Sequence, residues 1–138
     1  MSGVGSSLDA ALERIGDRWS LLVVAALLEG PLRFKDLSRA VEGIAPNILI
    51  DRLRRLGRSG VIASVPYSAR PVRVEYRLTE DGQELGSVLR MLAGWGGTAV
   101  GSEGPRHAAC GTVVEARWFC PTCARAVEDA DGSDLVRL

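Results

Sequence analysis

The sequence holds a single histidine, and none of its three cysteines comes before position 110. No run approaches the roughly 20 uninterrupted apolar residues that a membrane helix needs. The opening Met1 to Ser7 has no basic-then-apolar signal pattern either. These absences lead us to expect a cytoplasmic protein with no membrane partner. There is no phosphate-binding loop and no Gly-x-Ser-x-Gly elbow. If the one histidine, His107, ligates a metal, none remains as a general base, so an enzyme is not expected. Glu128, Asp129, Asp131 and Asp134 read as a solvated acidic tail rather than a catalytic set.

Net charge is lacking as well, since 17 Lys and Arg offset 17 Asp and Glu. Taken alone, that total argues against a nucleic-acid partner, but it conceals a segregation. Between Arg33 and Arg77 there are ten basic and four acidic residues, a surplus of +6, and the remainder of the chain carries −6. A compact basic segment is the electrostatic footprint that phosphate binding requires.

What is present is globular in composition: 138 residues, 46% hydrophobic and 25% charged, with room for one real core and no internal repeats. Within the basic segment, Pro46 to Ser59 stands out. Leu49, Leu53 and Leu56 fall at i, i+4 and i+7, one apolar stripe on a helix, while Asn47, Asp51, Arg54 and Arg58 project from the opposite side with Arg55 on its flank. Pro46 suits a first helical turn, and Gly57 and Gly60 weaken and then end the helix. A solvated face on an ordinary amphipathic helix has the same pattern, so the neighbouring elements decide.

Ser6 or Ser7 can cap a first helix that carries Leu8, Leu12 and Ile15 on one face. Asp17 caps a second, through Trp19, Leu22, Val23, Ala26 and Leu27, which reads as the buried central helix with Trp19 in the core. After a short extended piece at Leu32 and Arg33, Phe34, Leu37, Ala40 and Val41 recur at helical spacing, and a Gly43-containing connection leads into Pro46 to Ser59. Val61 to Tyr67 and Val72 to Leu78 then form a hairpin around an Arg-Pro tip. Helix, turn, helix and basic hairpin is the order of a winged helix-turn-helix, whose second helix enters the major groove while the wing reaches phosphate or minor groove. Thr79 caps a last long helix with Leu85, Val88, Leu89, Leu92 and Trp95 along one side. That stripe outruns the compact core, as expected of a helix that pairs with its copy in a homodimer, together with the first helix. Gly94, Gly96 and Gly97 loosen its end, and Val100 to Pro105 reads as a linker.

His107, Cys110, Cys120 and Cys123 make the pattern H-x2-C-x9-C-x2-C, two close ligand pairs separated by the strand-like Thr112 to Phe119. A small zinc ribbon needs that spacing, and four protein ligands close the tetrahedron, so the expected Zn2+ is structural. A redox pair of Cys120 and Cys123, or three unligated cysteines, are the alternatives.

These residues resemble the HxlR-type branch of the MarR-like winged-helix transcriptional regulators of bacteria and archaea. The similarity is carried by IGDRWSLLVVAALLEGPLRFKDL, GIAPNILIDRLRRLGRSGVI and RPVRVEYRLTEDGQEL, about 80 residues from Ile15 to Gly96. It implies a homodimer that binds operator DNA and usually represses nearby genes, reading DNA with Pro46 to Ser59 and a wing around Arg70 to Arg73. Three departures limit the likeness. Some relatives sense oxidants through a cysteine near the N-terminus, which this chain lacks; Ala45 stands where a capping Ser is usual, and Ile50 where a small hydroxyl residue often sits.

The expectation is therefore a mainly α chain with a small β-hairpin, α+β in class. Residues 1–100 form a winged helix-turn-helix for DNA binding and dimerisation, and 101–138 a small zinc-ribbon-like extension. The DNA-facing candidates are Asn47, Asp51, Arg52, Arg54, Arg55, Arg58, Arg70 and Arg73, with Asn47 the candidate for a base contact because an amide pairs bidentately with adenine. Arg52 and Arg55 are expected toward the flanking backbone. A protein-interaction module of the same fold is the rival, although concentrated charge is unusual at the centre of a protein interface.

Overall fold

The structure is a computed structural model and describes residues 4–128 and Leu135, with side chains from residue 7 onward. In chain order the elements are α1 (Val4–Ile15), α2 (Arg18–Leu27), β1 (Leu32–Arg33), α3 (Phe34–Ala40), α4 (Pro46–Arg58), β2 (Ile62–Ala69), β3 (Val72–Leu78), α5 (Glu80–Thr98), β4 (Trp118–Cys120) and β5 (Arg125–Val127). They fall into two compact units, one from Asp9 to Leu89 and the other containing Arg90 onward with the start of α1. Of the acidic tail, Glu128 is exposed, and Asp129, Asp131 and Asp134 lie outside the described residues.

The first unit is built on α2. Asp17 takes an extended conformation and its carboxylate accepts the Ser20 N–H at 3.0 Å, which satisfies a first-turn donor and starts the helix as its sequence predicts. Val23, Val24 and Leu27 are buried along it, joined by Leu37 of α3, by Val41 and Ile44 of the turn, and by Leu49, Leu53 and Leu56 of α4. Burying each leucine contributes about 1.5–3 kcal/mol, so the apolar stripe of α4 fixes which side of that helix is left to solvent. Trp19 is half-buried against this core, with the Arg18 guanidinium 4.7 Å from its ring centre. Gly43 supplies the left-handed backbone (φ +82°) in the turn between α3 and α4.

β1, β3 and β2 form an antiparallel sheet in that order, with Leu32 opposite Tyr76 and Ile62 opposite Leu78. The short extended piece at Leu32 is thus a third strand. The hairpin runs out to Ala69 opposite Val72, with the cis Arg70-Pro71 pair at its tip and a register irregularity between Pro66 and Ser68. Pro66 is tolerated because β2 is an edge strand.

Val61 was expected to begin β2, but it precedes the strand. Its side chain is buried, and its carbonyl accepts the Thr79 N–H at 3.0 Å. Thr79 caps α5 by accepting the Gly82 N–H at 3.1 Å on its hydroxyl, and a Cβ on Gly82 would stand only 2.1 Å from the Val61 oxygen. Strand, cap and helix therefore meet backbone to backbone.

One helix start differs from its sequence reading, and one helix end is firmer than its glycines suggest. α1 starts at Val4, upstream of both serines expected to cap it. α5 continues through Gly94, Gly96 and Gly97 to Thr98. Each glycine costs about 1 kcal/mol relative to alanine, yet the terminal carbonyls are satisfied. Val100 and Ser102 both donate to Gly97 O, at 3.0 and 2.9 Å. Among the described residues no helix is long and apolar enough to cross a membrane.

In the second unit, β4 and β5 pair antiparallel, with Trp118 opposite Val127 and Cys120 opposite Arg125. A separate bridge joins Arg106 and Val113. Between Ala99 and Glu128 none of the residues is buried.

Candidate functional site

The solvent face of α4 is set by its buried one. With Leu49, Leu53 and Leu56 turned into the core, Asn47, Asp51, Arg54, Arg55 and Arg58 are all exposed. Ala45 offers the helix no side-chain cap, in keeping with its lack of a hydroxyl. Arg54 and Arg58, with Ile50, Leu53 and Gly57, form one wall of a groove of about 860 Å³ whose other wall is Ile62, Ala63, Ser64 and Tyr76 of the hairpin. Helix and wing thus share one concave surface. Arg70 and Arg73 are exposed at the wing tip. Among the described residues, Arg54, Arg58, Arg70 and Arg73 form no ion pair.

Arg52 is placed differently from these four. Its side chain is only 18% exposed; Nε donates to Asp17 Oδ1 at 2.9 Å and Nη1 to Asp51 at 2.5 Å. Arg55 Nη1 lies 3.8 Å from the other Asp17 oxygen. The carboxylate that caps α2 therefore also grips α4 on one flank, adding to the hold of its buried leucines. The sequence identifies Asp17 as a cap and gives no signal of this second role, since its partner lies 35 residues away.

Partial burial pushes the Asp17 carboxyl up, but the Ser20 N–H, the Arg52 guanidinium and the Ser20 hydroxyl outweigh it and hold the group below the usual aspartate value. The carboxylate's stabilising contribution is then complete above about pH 4 and lost as the pH falls through its folded value. Asp17→Ala is expected to lower stability by about 1–2 kcal/mol near neutral pH, from the lost cap and a partly exposed ion pair. Urea unfolding measured at a series of pH values checks it. The gap between parent and variant narrows in acid, and a gap that persists unchanged there assigns the loss to packing alone.

The cysteine segment holds two formed pairs. His107 Nδ1 is 3.3 Å from Cys110 Sγ, and Cys120 Sγ accepts the Cys123 N–H at 3.4 Å. Cys110 also contacts the Thr112 hydroxyl at 3.3 Å; that hydrogen bond, then the Thr112 backbone and His107, draw its thiol down to about 7. The two pairs are not joined: among the described residues no three His, Cys, Asp or Glu side chains are placed to hold one metal ion.

The profile of the HxlR-like helix-turn-helix family matches residues 14–103. Over 128 residues the chain is 39% identical to an HTH-type transcriptional regulator of Mycobacterium bovis, covering 89% of this chain and 80% of the relative. Its structure is similar to that of the HTH-type transcriptional regulator ytcD, with a TM-score of 0.65 and 35% identity over 70% of this chain and 99% of the other. A MarR-family regulator from Porphyromonas gingivalis W83 gives a TM-score of 0.63 at 29% identity, over 70% of this chain and 94% of that one.

Proposed function

The chain belongs to the HxlR-like helix-turn-helix family of DNA-binding transcriptional regulators, and from that premise we propose that it acts in the cytoplasm as a homodimeric repressor on operator DNA. It is a regulator and not an enzyme. The observation that carries the proposal is a set of exposed arginines without an ion pair among the described residues: Arg54 and Arg58 at the groove between α4 and the hairpin, and Arg70 and Arg73 at the wing tip. In this reading α4 lies in the major groove, with Asn47 at its start reading a base edge and Arg54 and Arg58 reaching bases or phosphates. The wing arginines take phosphate or minor groove, and Arg55 the flanking backbone. Arg52, held by Asp17, keeps the helix in position.

Dimerisation is supported by apolar side chains that stand exposed among the described residues. α1 exposes Leu8 and Leu12, and α5 exposes Val88, Met91, Leu92 and Trp95, the last at 78%. Apolar stripes of that kind mark interaction surfaces, and a two-fold protein suits a two-fold operator.

Fluorescence-anisotropy titration against the chain's own upstream DNA and a scrambled duplex, at low and physiological salt, tests the proposal. The expected result is two chains per site, a preference of about a thousand-fold or more for the true site, and a linear fall of log affinity with log salt. Weak binding, equal on both duplexes and abolished by modest salt, would overturn it in favour of a protein-interaction module.

A further inference from the structure

We propose that His107, Cys110, Cys120 and Cys123 bind one zinc ion, which closes two ready-made half-sites into a ribbon. This inference does not depend on DNA binding. Three thiolates and an imidazole are a donor set suited to tetrahedral zinc. The backbone supplies the first structural argument. In each pair the residue after the second ligand is left-handed: Gly111 after Cys110 at φ +73°, and Ala124 after Cys123 at φ +51°. Ala124 is the only non-glycine residue with positive φ among the described residues, a conformation that costs about 1–2 kcal/mol for an L-residue.

Each pair thus sits in a turn that ends on a left-handed residue, held by a different hydrogen bond. In one, His107 O accepts the Gly111 N–H at 2.7 Å; in the other, Cys120 Sγ accepts the Cys123 N–H at 3.4 Å. An N–H aimed at a sulfur stabilises the thiolate that a metal requires. Each knuckle also sits at the tip of its own ladder. Arg106 bridges Val113, with His107 N–H donating to Thr112 O at 2.8 Å, and β4 pairs with β5 up to Cys120 and Arg125.

The segment also has no buried core among its described residues. Val113, Val114, Trp118 and Phe119 are 39–64% exposed, so no apolar core repays the ordering of its two hairpins. A structural metal is the usual substitute in a segment this short. The four side chains do not converge on one point, and zinc would draw one knuckle onto the other across residues 111–119. The connection between the knuckles, at Ala116, Arg117 and Trp118, lies beside Met91 of α5, so the closed ribbon would brace the end of that helix.

The test uses the full chain, purified without an affinity tag that binds metal. Metal analysis after dialysis is expected to give one zinc per chain, with all three thiols protected from alkylation until a chelator is added. Cobalt in place of zinc is expected to give the strong visible bands of a tetrahedral thiolate site. His107→Ala, Cys110→Ser, Cys120→Ser and Cys123→Ser each reduce retained zinc from near one per chain to near zero, while the thermal melt of the Asp9–Leu89 unit stays in place. A chain that takes up no zinc on reconstitution under reducing conditions overturns the proposal, as does full retention in any one of the four variants. A metal-free chain with a Cys120–Cys123 disulfide overturns it in favour of a redox pair.

Discussion

Replacing Arg54 and Arg58 together with alanine is expected to weaken operator binding by about 100-fold or more and to leave the fold intact. Both side chains stand on the exposed face of α4, at the groove shared with the wing, and neither is paired within the described chain. Each contact to a base edge or phosphate contributes about 1–3 kcal/mol, so two amount to several. Their removal uncovers no core and breaks no ion pair, so the change in unfolding free energy stays within about 0.5 kcal/mol. If both meet phosphate, the slope of log affinity against log salt also falls by about 2. Anisotropy titration with a urea melt of the same preparation checks the two halves. Unchanged affinity in a folded variant would remove α4 from the interface.

If the proposed α5 interface is used, Val88→Asp with Leu92→Asp is expected to give a monomer and to reduce operator affinity by about 100-fold or more. The two positions are four residues apart on one face of α5 and are 53% and 46% exposed in the single chain, so aspartates there are tolerated by the isolated fold. Across a two-fold interface the same residues recur on both copies, and four carboxylates would be driven together without a cation. The monomer then keeps one half-site's contacts and loses the advantage of a second recognition unit held nearby, worth about 10²–10⁴ in affinity. Sedimentation velocity with and without DNA separates the outcomes; a variant that still sediments as a dimer would place the interface on another surface.

Local patterns were read well from the sequence. The Leu49, Leu53 and Leu56 stripe fixed the inward face of α4 and, by elimination, the outward one. Asp17 and Thr79 announced the helices they cap, because a short polar side chain before an apolar run has few other local uses. Features that depend on distant partners were hidden. Nothing near Asp17 points to Arg52, and nothing in Leu32-Arg33 points to Tyr76 and Glu75 as strand partners. One helix start is misplaced in the sequence reading, since α1 begins upstream of the serines expected to cap it, while α5 runs through its three glycines and ends at Thr98, just before the expected linker. For the cysteine segment, spacing indicated the two pairs, while the left-handed Ala124 was visible only in the backbone.

The meeting of Val61, Thr79 and Gly82 has a mechanical meaning. Thr79 alone separates the last residue of the wing from the first residue of α5, and it is pinned to Val61 through both its amide and its hydroxyl. Gly82 lets the helix seat directly on that carbonyl, so the connection has no side chain to act as a cushion and no loop to absorb a turn. The wing therefore has no hinge of its own at this end. In the proposed dimer built on α5, a small rotation at the start of that helix would be passed on to the hairpin. In the proposed dimer the junction would work as a stiff lever, by which the spacing of two half-sites would be felt at α5.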